Sequence, residues 1–132
     1  KDGYEMLDGG ISDSIPVEWM INKGAEKIVL VLTRPAGYIK EKNKAMPLIK
    51  LIYGKYPGLV KAMKERHIVY NKTIKLIKEL EKEGKVFVIR PEKSLGISKL
   101  ENNPDNLQKV YHTGKKDMNK KLENLKKYLE IY

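Results

Sequence analysis

The Asp8-Gly9-Gly10 segment contains the side chain of this sequence that is best placed to do chemistry. It follows a short apolar run, residues 4–7, that predicts a strand, and it precedes a helix-start signal at residues 12–16. A carboxylate between a strand and a helix lies at the edge of an α/β sheet, where binding and catalysis usually occur. The two glycines allow a sharp turn and a close approach to a ligand. Asp-Gly is also an ordinary turn pair, and on these residues alone both interpretations stay open.

Two arginines are the next candidates for a functional site. Arg34 follows a predicted strand at residues 27–33, and Arg90 follows a second one at residues 86–89. In a parallel pair both would lie at the same edge of the sheet as Asp8, where a guanidinium could hold a phosphate or a lipid head group. The alternative is that they solvate the rim of the sheet or pair with an acidic side chain.

The order of the predicted elements indicates an α/β fold. The apolar run at residues 27–33 does not alternate with polar residues, which predicts a strand buried on both faces of a parallel sheet. Strand, helices, strand, helices is the order of a parallel pair joined by a right-handed crossover. The sequence predicts helices over residues 14–23, 46–53, 58–66, 67–83, 103–113 and 117–130.

Composition narrows the class of protein. The 132 residues suffice for one domain, and no apolar run approaches the ~20 residues that cross a bilayer. The chain has no cysteine, which excludes disulfides and thiolate chemistry. The net charge is +10, but only three of the 27 basic residues are arginines, so nucleic-acid binding is not expected. A solvated lysine-rich surface is the plain interpretation, and attraction to anionic lipid or nucleic acid is the alternative.

A longer run, residues 4–17, resembles the patatin-like phospholipases, in which a strand, DGG or DGA and a proline-containing helix entry follow in this order. The similarity continues through residues 24–27 and the strand after them. It covers nearly the whole chain, and the ordered set is more specific than Asp-Gly-Gly alone. A bacterial branch of that family is similar in further segments: residues 32–38, Tyr56-Pro57, Arg66-His67, Tyr70-Asn71 and Ile89-Arg90-Pro91.

The resemblance implies a lipid acyl hydrolase with a patatin-like three-layer fold, in which helices pack on parallel strands and a helical C-terminal region follows. Residues 1–95 would be the C-terminal portion of the catalytic domain, and residues 96–132 a helical extension. A serine in a G-x-S-x-G turn attacks the ester, and Asp8 takes its proton directly, while Gly9 and Gly10 shape the loop. The dyad needs neither a metal nor an organic cofactor, and calcium dependence is not expected.

The sequence departs from the family in one respect. It contains no G-x-S-x-G, since residues 10–14 and 96–100 both fail at the last position, and no glycine-rich oxyanion loop precedes Asp8. Both features lie upstream of the aspartate in this family. We therefore expect the chain to be the C-terminal part of a phospholipase or esterase, inactive alone, whose two strands leave unpaired edges or an apolar face.

Several partners follow from this expectation. They are the N-terminal half of the same protein, a lipid ester substrate, a membrane surface, and a second copy that meets an uncovered sheet edge. The expected location is cytoplasmic or peripheral to a bacterial membrane. Two other classes of function stay open: a non-enzymatic basic module that binds an anionic membrane or nucleic acid, and an interaction domain that docks a partner on its sheet edge.

Overall fold

The computed structural model describes residues 3, 6–98 and 100–130 and is a mixed α/β structure, which confirms the predicted class at this coarse level. A single turn of 3₁₀ helix, Gly9–Ile11, precedes the first α-helix. The other elements, in chain order, are α1 Val17–Asn22, β1 Ile28–Val31, α2 Met46–Tyr53, α3 Pro57–Lys82, β2 Val86–Ile89 and α4 Pro104–Leu129. No helix in this described part of the chain is both long and apolar enough to cross a bilayer.

The chain divides into two compact units. The first comprises Lys1–Gly24 and Ile39–Glu79, and the second comprises Ala25–Tyr38 and Leu80–Tyr132. The predicted division at residue 95 stays a prediction. Among the described residues, the buried hydrophobic side chains are Val17 and Ile77 in the first unit and Ile28, Leu80, Val86 and Val88 in the second.

The second unit contains a two-stranded parallel sheet. Ile28 of β1 pairs with Val86 of β2, and the register continues to Val31 and Ile89. The predicted parallel pairing is therefore confirmed. The prediction that the first strand is longer and buried on both faces was wrong, because Val31 is 72% exposed. Among the described residues, each of the two strands has a neighbour on one edge only.

Helix α4 is bonded to both strands of the second unit. The Tyr128 hydroxyl accepts a hydrogen bond from the Ile28 amide at 3.0 Å and donates to the Lys85 carbonyl at 3.0 Å. The Tyr128 ring also packs against Phe87, with 5.6 Å between the ring centroids. Lys121 donates from Nζ to the Val88 carbonyl at 2.8 Å. These contacts connect the start of β1 and the body of β2 to one helix face.

Removing the Tyr128 hydroxyl tests this anchor. Tyr128→Phe keeps the ring but leaves the Ile28 amide without its acceptor, and we expect it to lower the free energy of unfolding by about 1–2 kcal/mol. The matched control is Tyr111→Phe on the same helix, whose side chain is 64% exposed, and we expect a change within about 0.5 kcal/mol. Urea denaturation measures both. Equal losses in the two variants would contradict the assigned role.

Three helices of the structure, α1, α3 and α4, have bounds that differ from the predicted ones. α3 is continuous where two helices meeting at residues 66–67 were predicted, because no glycine or proline interrupts it there. α4 runs through Gly114, where a break was predicted; an isolated glycine costs a helix only about 1 kcal/mol, which good helix formers on both sides offset. α1 begins at Val17, and Ser14, the predicted cap, makes no cap hydrogen bond to it.

Two further predictions concern the N-cap of α4 and the strand before Asp8. Asn103, the predicted cap of α4, is confirmed, because its Oδ1 accepts hydrogen bonds from the amides of Asp105 and Asn106. The strand predicted over residues 4–7 falls partly outside the described residues, which omit Tyr4 and Glu5. The remaining residues of that segment, Met6 and Leu7, lie in no strand.

Candidate active site

Asp8 caps the turn that follows it. Its Oδ1 accepts a hydrogen bond from the Gly10 amide at 2.7 Å, and its carbonyl accepts one from the Ile11 amide at 3.1 Å. Asp8 is thus the N-cap of the 3₁₀ turn Gly9–Ile11. Aspartate is favoured at such a position because its short side chain reaches the amide two residues ahead. The Asp-Gly-Gly sequence therefore fixes the direction of the Asp8 carboxylate by a local hydrogen bond.

The rest of the Asp8 carboxylate is unengaged. Asp8 is exposed, and its Oδ2 accepts no hydrogen bond from any residue that the structure describes. Within the same described ranges it forms no ion pair. An ionised carboxylate can accept several hydrogen bonds. Oδ2 is therefore available to a hydroxyl or another donor that reaches this loop.

Helix α3 is connected to the loop after Asp8 by hydrogen bonds. Arg66 donates from Nε to the Ser14 hydroxyl at 3.3 Å, and that hydroxyl donates to the Gly10 carbonyl at 2.8 Å. Both Arg66 and Ser14 are half-buried. This chain of bonds connects the turn to a long helix of the same unit, so the orientation of Asp8 does not depend on the turn alone. This role of Arg66 was not predicted from the sequence.

The two glycines of the turn differ in the space around them. A Cβ at Gly10 would lie 3.1 Å from Asp8 Oδ1 and 3.9 Å from a terminal Arg66 nitrogen. A Cβ at Gly9 would meet nothing within 4 Å. Neither residue has a positive φ. A side chain at Gly10 would therefore be crowded against the bonded carboxylate, whereas Gly9 is not restricted in this way.

Alanine substitutions at the two glycines test this difference. Gly9→Ala is expected to be neutral or to stabilise by up to about 1 kcal/mol, because it reduces the freedom of the unfolded chain. Gly10→Ala is expected to be less stable than Gly9→Ala by about 1 kcal/mol, because its Cβ pushes against the bonded Asp8 oxygen. Chemical denaturation of the two variants measures the difference. Identical midpoints would show that the Asp8–Gly10 bond is not fixed as described.

The two candidate arginines lie in the second unit, whereas Asp8 lies in the first. The Arg90 guanidinium forms an ion pair with the Glu81 carboxylate, and its side chain is only 15% exposed. Arg90 thus makes the acidic pairing that the sequence left open as an alternative. The Arg34 guanidinium lies over the Tyr38 ring, 5.0 Å from its centroid. A head-group contact by either arginine, and their meeting with Asp8 at one edge, stay predictions.

The two residues before Asp8 line an apolar groove in the first unit. It has a volume of about 770 Å³, and its lining includes Met6, Leu7, Ile52 and Tyr53. Met6 is 70% exposed and Leu7 is 63% exposed. The groove was not predicted from the sequence, because the two segments that line it are more than forty residues apart.

A family model matches part of this chain. It is the Domain of unknown function (DUF6363), and it matches residues 56–130. The matched range extends from the residue before α3 to the end of α4, so it includes Arg66, β2 and Tyr128 but not the Asp8 loop. No curated protein and no solved structure matches the chain.

Proposed function

We propose that this chain, which belongs to the DUF6363 family, is the C-terminal part of a patatin-like lipid acyl hydrolase in which Asp8 activates an upstream serine. The observation that carries the proposal is the state of the Asp8 carboxylate. One oxygen is held at 2.7 Å by the Gly10 amide, and the other accepts no hydrogen bond from a described residue. A general base needs such a combination of fixed direction and a vacant acceptor.

In the proposed reaction, Asp8 moves one proton in each half. Its carboxylate takes the proton of the serine hydroxyl while the serine oxygen attacks the ester carbonyl. The proton then passes to the departing alcohol as the ester bond breaks and an acyl-serine forms. In the second half, the same carboxylate takes a proton from water as the water oxygen attacks the acyl-serine, and it returns that proton to the serine oxygen when the acyl–oxygen bond breaks and the fatty acid leaves. An upstream glycine-rich loop would bind the oxyanion of both tetrahedral intermediates.

Pre-positioning is what makes a carboxylate adequate for this task. The pKa of a typical carboxyl is far below that of an alcohol, so a freely rotating aspartate in water would be a poor base for serine. The hydrogen bond from the Gly10 amide to the Asp8 carboxylate and the hydrogen bond from Arg66 to the Ser14 hydroxyl both restrict the turn that carries Asp8. The entropic cost of orienting the base is then met on folding rather than during the reaction.

The small number of buried side chains supports the proposal that this chain is part of a larger polypeptide with a patatin-like three-layer fold. Among the described residues, the hydrophobic core consists of six side chains, which is small for a chain of 132 residues. Val31 is a strand residue and is 72% exposed. Helices packed on both faces of a larger parallel sheet would cover such side chains. We propose that the upstream part of the complete polypeptide packs on these exposed side chains.

Hydrolysis by two forms of the protein tests the proposal. The complete polypeptide that contains this chain should hydrolyse a p-nitrophenyl acyl ester, whereas residues 1–132 alone should not, because the serine and the oxyanion loop are missing. Hydrolysis by the isolated chain would contradict the dyad. An inactive complete polypeptide that binds anionic vesicles or nucleic acid, with affinity falling as salt rises, would favour the basic binding module instead.

A further inference from the structure

Helix α2 exposes apolar side chains on its outer face. Leu48 is 57% exposed, Leu51 is 82% exposed and Ile52 is 57% exposed, whereas Met46 and Ile49 are half-buried. A surface helix ordinarily buries its apolar stripe and turns polar residues outward. Single exposed leucines are common, but a helix that is apolar on both faces needs a second partner for the outer one.

The exposed side chains of α2 form one surface. Leu48, Leu51 and Ile52 stand at positions i, i+3 and i+4, which places them on the same side of the helix. Ile52 also lines the groove of about 770 Å³ together with Met6 and Leu7. We call these five residues, Met6, Leu7, Leu48, Leu51 and Ile52, the α2 patch. Each of them is at least 57% exposed.

Lysines surround the α2 patch in the sequence. Residues 39–64 contain seven lysines and one glutamate, a net charge of +6. Lys44 and Lys55 lie just before and just after the helix, and both are exposed. Lys55 also lines the groove with Met6 and Leu7. Lysine is depleted at protein–protein interfaces. By contrast, an apolar helix face with a lysine-rich border is typical of helices that lie in the interface of an anionic membrane.

We propose that the α2 patch docks this protein on an anionic phospholipid bilayer. The apolar side chains enter the boundary between head groups and acyl chains, and the lysines beside them meet the anionic head groups, each increasing binding about fivefold. Asp8 follows Leu7 directly in the chain, so the docked face would include the loop that carries this carboxylate. The inference stands on α2 and its charges, and it does not require Asp8 to be a base.

Sedimentation with vesicles tests the proposal on the complete polypeptide that contains this chain. We expect it to bind vesicles of phosphatidylcholine with phosphatidylglycerol more tightly than vesicles of phosphatidylcholine alone, and to lose affinity as salt rises. Leu51→Gln should weaken the binding at least about tenfold, because it removes the most exposed apolar side chain of the helix. Lys44→Gln and Lys55→Gln, at the two ends of α2, should each weaken it about fivefold.

A matched control separates docking from folding. Leu100 is 91% exposed and lies outside the α2 patch, so Leu100→Gln should leave vesicle binding unchanged. Circular dichroism and the melting temperature should be unchanged in both leucine variants, since neither side chain is buried. The proposal is overturned if the wild-type protein ignores anionic vesicles, or if Leu51→Gln binds as well as Leu100→Gln. It is also overturned if Leu51→Gln only abolishes self-association or a contact with another part of the polypeptide.

Discussion

Asp8→Asn is expected to reduce kcat/KM for ester hydrolysis by the complete polypeptide about 10²–10⁴-fold, the usual contribution of a positioned general base. Asparagine keeps a side-chain oxygen that can accept the 2.7 Å hydrogen bond from the Gly10 amide. The turn should therefore survive, and only the ability to take a proton should be lost. Steady-state kinetics on a p-nitrophenyl ester, together with a denaturation curve, separate these two effects.

Asp13→Asn is the matched control for this experiment. Asp13 is also exposed, and its Oδ1 accepts a hydrogen bond from the Ile15 amide at 3.2 Å, so the same change is made in a similar local setting. It should leave kcat/KM within about threefold, the effect of an exposed charge outside the reacting groups. Equal losses in Asp8→Asn and Asp13→Asn would mean that the loop is charge-sensitive as a whole and that Asp8 is not the base.

Ile77→Ala is expected to give the largest loss of stability among single substitutions on α3. The Ile77 side chain is 0% exposed, so its truncation removes buried methyl groups and leaves a cavity. Such substitutions cost about 2–5 kcal/mol, which is a large part of the 5–15 kcal/mol that stabilises a typical domain. The midpoint of urea denaturation measures the loss.

The control for Ile77→Ala is Ile68→Ala on the same helix. Ile68 is 59% exposed, so we expect its truncation to change the stability by less than about 1 kcal/mol. Alanine has the higher helix propensity, and this small gain applies to both positions alike. If the two variants lost similar stability, the burial of Ile77 would not be the source of the effect.

Local sequence patterns predicted the parts of the fold that depend on neighbouring residues. The apolar runs around Ile28 and Val86 predicted the two strands, and their parallel pairing is confirmed. Asn103 predicted the start of α4, because an asparagine followed by a proline is a strong N-terminal signal. The interruption predicted at Gly114 was wrong, because one glycine is too weak a breaker when helix formers surround it.

Contacts between distant residues could not be predicted from those patterns. Arg66 and Ser14 are 52 positions apart, and Tyr128 and Ile28 are 100 positions apart, so no local spacing relates them. The exposed face of α2 was hidden for a different reason. Its sequence is apolar on nearly every side, so periodicity does not indicate which side chains turn outward. Only the packing of the first unit distinguishes Leu51 from Ile49.

Candidate site residues follow the same division between local and distant contacts. The Asp8-Gly9-Gly10 turn could be predicted from its residues, since the hydrogen bond that defines it spans only two positions. The functional meaning attached to it came from the resemblance to patatin-like phospholipases, and that meaning stays a proposal. For Arg90 the sequence left two alternatives, a head-group contact or a role at the rim of the sheet that includes pairing with an acidic side chain. Its pairing with Glu81 depends on how β2 follows α3.

Labelling with a fluorophosphonate, which reacts preferentially with the activated serine of a hydrolase, tests the role of Asp8 most directly. In the complete polypeptide, we expect one serine upstream of residue 1 to be labelled stoichiometrically, and Asp8→Asn to slow the labelling about 10²-fold or more while Asp13→Asn does not. Labelling that proceeds at the same rate in all three proteins, or that finds no reactive serine at all, would contradict the assignment of Asp8 as its base.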